Sequence, residues 1–107
     1  MNTTPLPKLP LTDGGIESFT VGDFVTFDRH LDEHLVNAYA DVVLDHSPLH
    51  VDDEYAKGAA WGRRVVHGML LTSHFSSVVG MLLPGKRALL VSTDFDYVQP
   101  VFVGETV

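Results

Sequence analysis

The chain has 107 residues, 45% hydrophobic and 20% charged, with a formal net charge of −7. This is the composition of one small globular domain rather than a disordered segment, and its acidic balance excludes a nucleic-acid partner, which needs a basic face. With no cysteine there is no disulfide, thiolate nucleophile or cysteine metal site, which is compatible with a reducing, cytoplasmic setting.

Met1 to Leu11 carries three prolines and one lysine and lacks the basic-then-apolar pattern of a signal peptide. Residues 1–17 are expected to be an arm, and 18–107 the domain. Gly14-Gly15 and Gly22-Asp23 read as turns, with β-prone pieces at Ser18 to Val21 and Phe24 to Phe27. The period then changes. Leu31, Leu35, Ala38, Tyr39 and Val42 recur at three- and four-residue steps, which predicts an amphipathic helix with Asp32 as N-cap.

That helix should end near Leu44, because Pro48 removes a donor and pushes Ser47 out of helical geometry. Asp45 to Val51 is then a loop, and Asp53 to Ala60 a short second helix. Val65 to Leu83 is rich in apolar residues, but His67, Ser73, His74, Ser76 and Ser77 interrupt it. A buried helix from Met69 to about Leu83 explains it better than a membrane span. Ser73, Ser76 and Gly80 form a small-residue stripe on that helix, where a neighbouring backbone could approach closely.

From Leu89 to Tyr97 the apolar residues alternate with Ser92, Asp94 and Asp96, the period of a strand. Gln99-Pro100 bends or ends it, Val101 to Val103 continues it, Gly104-Glu105 reads as a turn, and Thr106-Val107 begins another strand. Strands grouped around one buried helix predict an α+β fold, an antiparallel sheet wrapped on that helix.

Asp45 and His50 stand five residues apart in a loop stiffened by Pro48. Together they could hold and deprotonate a water, histidine being the usual base near neutral pH. Taken alone, the plainer reading comes first: Asp45 caps a turn and His50 is half-buried packing. Gly68, at the start of the apolar helix, offers an amide to an oxygen that becomes negative, or merely permits a tight entry turn. Ser76 could bond a ligand carbonyl, or belong to the small stripe. Arg63, Arg64, Lys86 and Arg87 form two basic pairs that could meet phosphates of a ligand, or be solvated charge.

His30 and His34 are four apart, as are His46 and His50. Helical spacing of that kind can hold a metal, but Pro48 breaks the second pair and no HExxH motif accompanies either. No metal is expected. Phosphate-loop, nucleophile-elbow and dinucleotide motifs are missing from the sequence.

The order of these features is more specific than any one of them. Asp45-x-Ser47-Pro48-Leu49-His50-x-Asp52, Tyr55-Ala56, Val66-His67-Gly68-Met69-Leu70, Phe75-Ser76, Leu83-Pro84-Gly85 and Pro100-Val101-x-Val103-Gly104-Glu105-Thr106-Val107 follow one another. From about Phe19 onward this resembles the MaoC-like (R)-specific enoyl-CoA hydratases. The resemblance implies a hotdog fold, a curved antiparallel sheet around a long central helix. It implies hydration of a trans-2-enoyl thioester to a (3R)-hydroxyacyl thioester, or the reverse, with no cofactor and no metal.

It also implies roles: Asp45 and His50 as the acid–base pair around a water, the Gly68 amide on the thioester carbonyl, Ser76 orienting the pair or the substrate. Ser47 stands where the family usually has asparagine, and could shape the loop through an Asx-like hydroxyl turn. The substrate carrier would be coenzyme A or acyl-carrier protein, with Arg63, Arg64, Lys86 and Arg87 near the phosphates. The implied assembly is a homodimer or a pairing with another hotdog. Family members continue with further strands, so Thr106-Val107 is expected to be an unfinished edge. The alternative is an inactive, shortened hotdog that binds a partner or an acyl ligand.

Overall fold

The computed structural model describes residues 6–107. The chain divides into two compact units: residues up to Thr26 together with His74–Thr93, and Phe27–Ser73 together with Asp94–Val107. The arm expected at 1–17 lies partly outside the described residues. Within it, Thr12 is bonded at both backbone groups: its N–H donates to Met81 O at 2.8 Å and its carbonyl accepts from Lys86 N–H at 2.9 Å.

In the first unit, Ile16–Ser18 is a 3₁₀ turn, which meets the β-prone piece expected at Ser18 to Val21 only at Ser18. Asp13 makes an antiparallel bridge to Gly85. Gly85 has φ +96, and a Cβ there would lie 2.3 Å from Thr12 O, so this approach requires glycine.

The second unit begins with α1, Glu33–Val43. Asp32 caps it as expected, accepting from Leu35 N–H at 2.8 Å. Its buried face differs from the expected one. Val36 and Ala40 are buried, flanked by half-buried Leu35 and Tyr39, while Ala38 and Val42 face solvent. The buried stripe follows the core, in which Val36 packs with Leu31, Val66 and Leu70. The helix ends at Leu44, which adopts φ 64.

The segment read as a loop holds a short helix, α2, Pro48–Val51. Proline is well placed at the first helical position, where no N–H is needed. Then α3, Asp53–Gly58, starts on Asp52, whose carboxylate accepts from Glu54 and Tyr55 N–H.

The long central helix is not continuous. It consists of α4, Gly68–Ser73, in the second unit, then α5, Phe75–Ser77, and a π turn, Val78–Leu82, in the first. The hydroxyls of Ser73 and Ser77 bond back to the carbonyls of Leu70 and His74 at 2.6 and 2.8 Å. Such bonds compete with the helix ladder and bend it. Nor is the segment buried all round: Met69 is 70% exposed. At Gly80 a Cβ would meet nothing within 4 Å, so among the described residues no neighbouring backbone approaches the small stripe there.

The sheet is sparse. Among the described residues the β pairing consists of isolated antiparallel bridges, not strands. Val66 N–H donates to Val101 O and Val103 N–H to Arg64 O; Leu31 N–H donates to Glu105 O. Thr106-Val107 is paired rather than open toward Arg29, with Val107 and Arg29 exchanging both backbone bonds at 2.8 and 3.0 Å. Among the described residues no strand is formed over 89–98, and the apolar side chains Leu89, Val91 and Tyr97 are exposed. Alternation marks a strand only where a neighbour supplies hydrogen bonds and cover. Among the described residues no helix is long and apolar enough to cross a membrane.

Candidate active site

The turn after α1 delivers Asp45. Leu44 N–H and Asp45 N–H both donate to Ala40 O, which closes the helix and throws the Asp45 side chain outward. Asp45 Oδ1 accepts from Ser47 N–H at 3.1 Å, an Asx-type turn that shapes the way into α2. Ser47 thus contributes through its amide. It is the N-cap residue of α2, but its hydroxyl makes no capping bond.

His50 sits on α2, half-buried. Its Nδ1 lies 2.6 Å from Val65 O. A carbonyl can only accept, so Nδ1 carries the hydrogen and the lone pair of the neutral ring is on Nε2. The tautomer is thereby set by the backbone of another segment.

The third member is His67, 3% exposed. Its Nε2 donates to the Asp45 main-chain carbonyl at 3.0 Å and lies 3.9 Å from Asp45 Oδ2. Its ring stacks on His50 with centroids 4.0 Å apart and meets Tyr39 edge-on at 5.1 Å. Burial, then the Asp45 carboxylate, then Tyr97 push the Tyr39 hydroxyl above its ordinary value.

Tyr39, Val43, Asp45, His50, His67, Gly68 and Met69 line a cavity of about 300 Å³. On its other side His50, with Gly68, also borders a second cavity of about 400 Å³, walled by Trp61, Val66, Leu71, Tyr97 and Val101. An acid, an imidazole and an amide therefore meet at the smaller cavity, and His50 and Gly68 also border the second. One donor atom each from Asp45, His50 and His67 lies within 4.8 Å of the others, a set that could approach a metal ion. Both imidazoles, however, already commit one nitrogen to a main-chain carbonyl. One histidine of each pair singled out by spacing is used elsewhere: His30 bonds Thr106 Oγ1 and His46 bonds Asp41.

The basic residues separate. Arg63 is exposed, lies over the Phe102 ring and pairs with Glu105 at 3.1 Å. Lys86 and Arg87 are exposed in the first unit and both approach Asp13. Arg64 corrects the expectation of a phosphate contact. It is 4% exposed, and its guanidinium is taken up by His50 O, Glu33 and Asn37 at 2.6, 2.9 and 2.7 Å. Ser76 is exposed on α5, in the first unit. What the sequence reading missed was Arg64 as a buried partner of His50. The one available signal was its place beside apolar Val65-Val66.

The sequence profile of the MaoC like domain matches residues 18–107. The chain is 37% identical over 91 residues to the (R)-specific enoyl-CoA hydratase of Aeromonas caviae, covering 85% of this chain and 68% of that protein. It is 37% identical over 87 residues to a mitochondrial 3-hydroxyacyl-[acyl-carrier-protein] dehydratase of Arabidopsis thaliana, covering 81% of this chain but 51% of the relative. The solved structure of the A. caviae (R)-hydratase superposes with a TM-score of 0.81, over 84% of this chain and 68% of that one. This likeness supports the hotdog fold despite the sparse bridging. The chain belongs to the MaoC-like domain family.

Proposed function

We propose that the protein adds water to the double bond of a trans-2-enoyl thioester, giving the (3R)-hydroxyacyl thioester, or runs the reverse dehydration. The observation that carries this reading is the meeting of Asp45 and a tautomer-fixed His50 in one cavity beside Gly68. A water between Asp45 and His50 Nε2 attacks C3. The pair takes one proton from that water and delivers one to C2, so no net proton is consumed. The Gly68 amide polarises the thioester carbonyl while it carries enolate charge. The apolar cavity beyond His50 and Gly68 takes the acyl chain.

The named relatives act on coenzyme A or acyl-carrier-protein thioesters, and we extend that substrate class to this chain. For the carrier's phosphates the exposed cations proposed are either Arg63 in the second unit or Lys86 and Arg87 in the first. Pairing with a second hotdog domain belongs to the same reading. The test is hydration of crotonyl-CoA, followed as loss of the conjugated enoyl-thioester absorbance, with Asp45→Asn as control and Ser76→Ala alongside. Turnover that vanishes in Asp45→Asn supports the reading. Absence of turnover in the folded wild-type protein overturns it in favour of an acyl-binding, non-catalytic domain.

A further inference from the structure

Among the described residues, the buried polar or charged side chains are Arg64 and His67, 4% and 3% exposed. Each holds the main-chain carbonyl of one member of the proposed pair. Arg64 Nε donates to His50 O at 2.6 Å. His67 Nε2 donates to Asp45 O at 3.0 Å. Between them, Val65 N–H donates to Leu49 O at 3.2 Å, and Val65 O accepts from His50 Nδ1 at 2.6 Å. One four-residue segment thus engages the 45–50 stretch at both ends.

The segment is itself fixed. Val66 N–H donates to Val101 O at 2.8 Å, and Val103 N–H to Arg64 O at 3.1 Å. The remaining arms of Arg64 reach Glu33 and Asn37 on α1, the helix that ends just before Asp45. His67 adds its ring, stacked on His50 at 4.0 Å. Its Nδ1 is buried with no hydrogen-bond partner among the described residues. A buried polar atom left unsatisfied is a cost, here accompanied by the bond and the stacking made by the rest of the ring.

We infer that Arg64 and His67 are positioning residues, which set the separation and the orientation of Asp45 and His50 through their main-chain carbonyls without touching substrate. The inference rests on the proposed roles of Asp45 and His50. Acid–base chemistry needs both groups within hydrogen-bond reach of one water, and a displacement of about 1 Å can lower the rate about 100-fold.

The test uses paired variants of the full chain. Arg64→Gln keeps a donor near the Nε position, and Arg64→Met does not. His67→Gln keeps a donor near Nε2, and His67→Phe keeps a stacking ring without one. Circular dichroism sets an assay temperature at which each variant is folded. The expected result is a kcat about 10- to 100-fold lower in Arg64→Met and His67→Phe with KM nearly unchanged, and recovery of much of that loss in the Gln variants. A second readout needs no turnover: ¹⁵N chemical shifts of His50, which report a single Nδ1–H tautomer in the wild type and a mixture in Arg64→Met.

Should Arg64→Met not fold, Arg64→Gln and His67→Gln against His67→Phe carry the comparison. Unchanged kcat with an unchanged His50 tautomer overturns the inference. So does a loss confined to KM, or equal loss in both members of each pair. If Asp45→Asn retains full turnover, the proposed role of Asp45 fails first, and the His50 tautomer signature then decides the positioning claim separately.

Discussion

The ring of Tyr97 lies over Gly68 so closely that a Cβ at position 68 would sit 2.9 Å from Tyr97 Cε1. Tyr97 is not free to swing aside without loss, because its hydroxyl meets Thr72 Oγ1 at 3.1 Å. Gly68→Ala should therefore destabilise the fold by about 1–3 kcal/mol, the usual cost of overpacking. In a Tyr97→Ala background the same substitution should cost much less. Urea unfolding of the four proteins of this cycle measures the difference.

His50→Asn separates folding from chemistry. The asparagine amide can still donate to Val65 O, where His50 Nδ1 now does at 2.6 Å, but it offers no basic nitrogen. Stability should stay within about 1 kcal/mol of wild type, while enoyl-thioester hydration falls at least about 100-fold. Retained turnover in a folded His50→Asn protein would remove His50 from the mechanism.

Leu44 ends α1 at φ 64 with its side chain 81% exposed. A left-handed conformation costs a non-glycine residue about 1–2 kcal/mol, and this leucine has little burial to lose. Leu44→Gly should stabilise the protein by about 1 kcal/mol, less whatever the freer unfolded chain takes back. Thermal unfolding by circular dichroism should show a rise of several degrees.

Tyr39 predicts the alkaline limb of stability. Its hydroxyl is held above the ordinary 10.0 by burial, with Asp45 and Tyr97 contributing. A raised folded-state value means that the unfolded chain loses this proton first. The stabilisation is complete below pH 10 and declines as pH rises from there through the folded value. Tyr39→Phe should flatten that part of the stability curve, as measured by urea midpoints at successive pH values. An unchanged slope would show that Tyr39 does not control it.

Much of the local structure was legible in the sequence. Asp32 as a cap, the stop near Leu44, the short helix after Asp52 and the entry at Gly68 depend on near neighbours, through capping bonds, restricted φ angles and missing donors. The order of motifs from Asp45 to Val107 also carried the family. Tertiary structure decided the rest. Alternation at Leu89 to Tyr97 could not say whether a partner strand would cover it, because ladder bonds come from distant residues. Its place beside Arg63 suggested that Arg64 was a phosphate contact or solvated charge, yet its three partners come from Glu33, Asn37 and His50, which only folding brings together. The tautomer of His50 is likewise a property of Val65 O, fifteen residues away in the chain. Local chemistry is written within a turn or two of each residue, whereas burial and the pairing of a buried charge depend on which distant groups the fold places beside it.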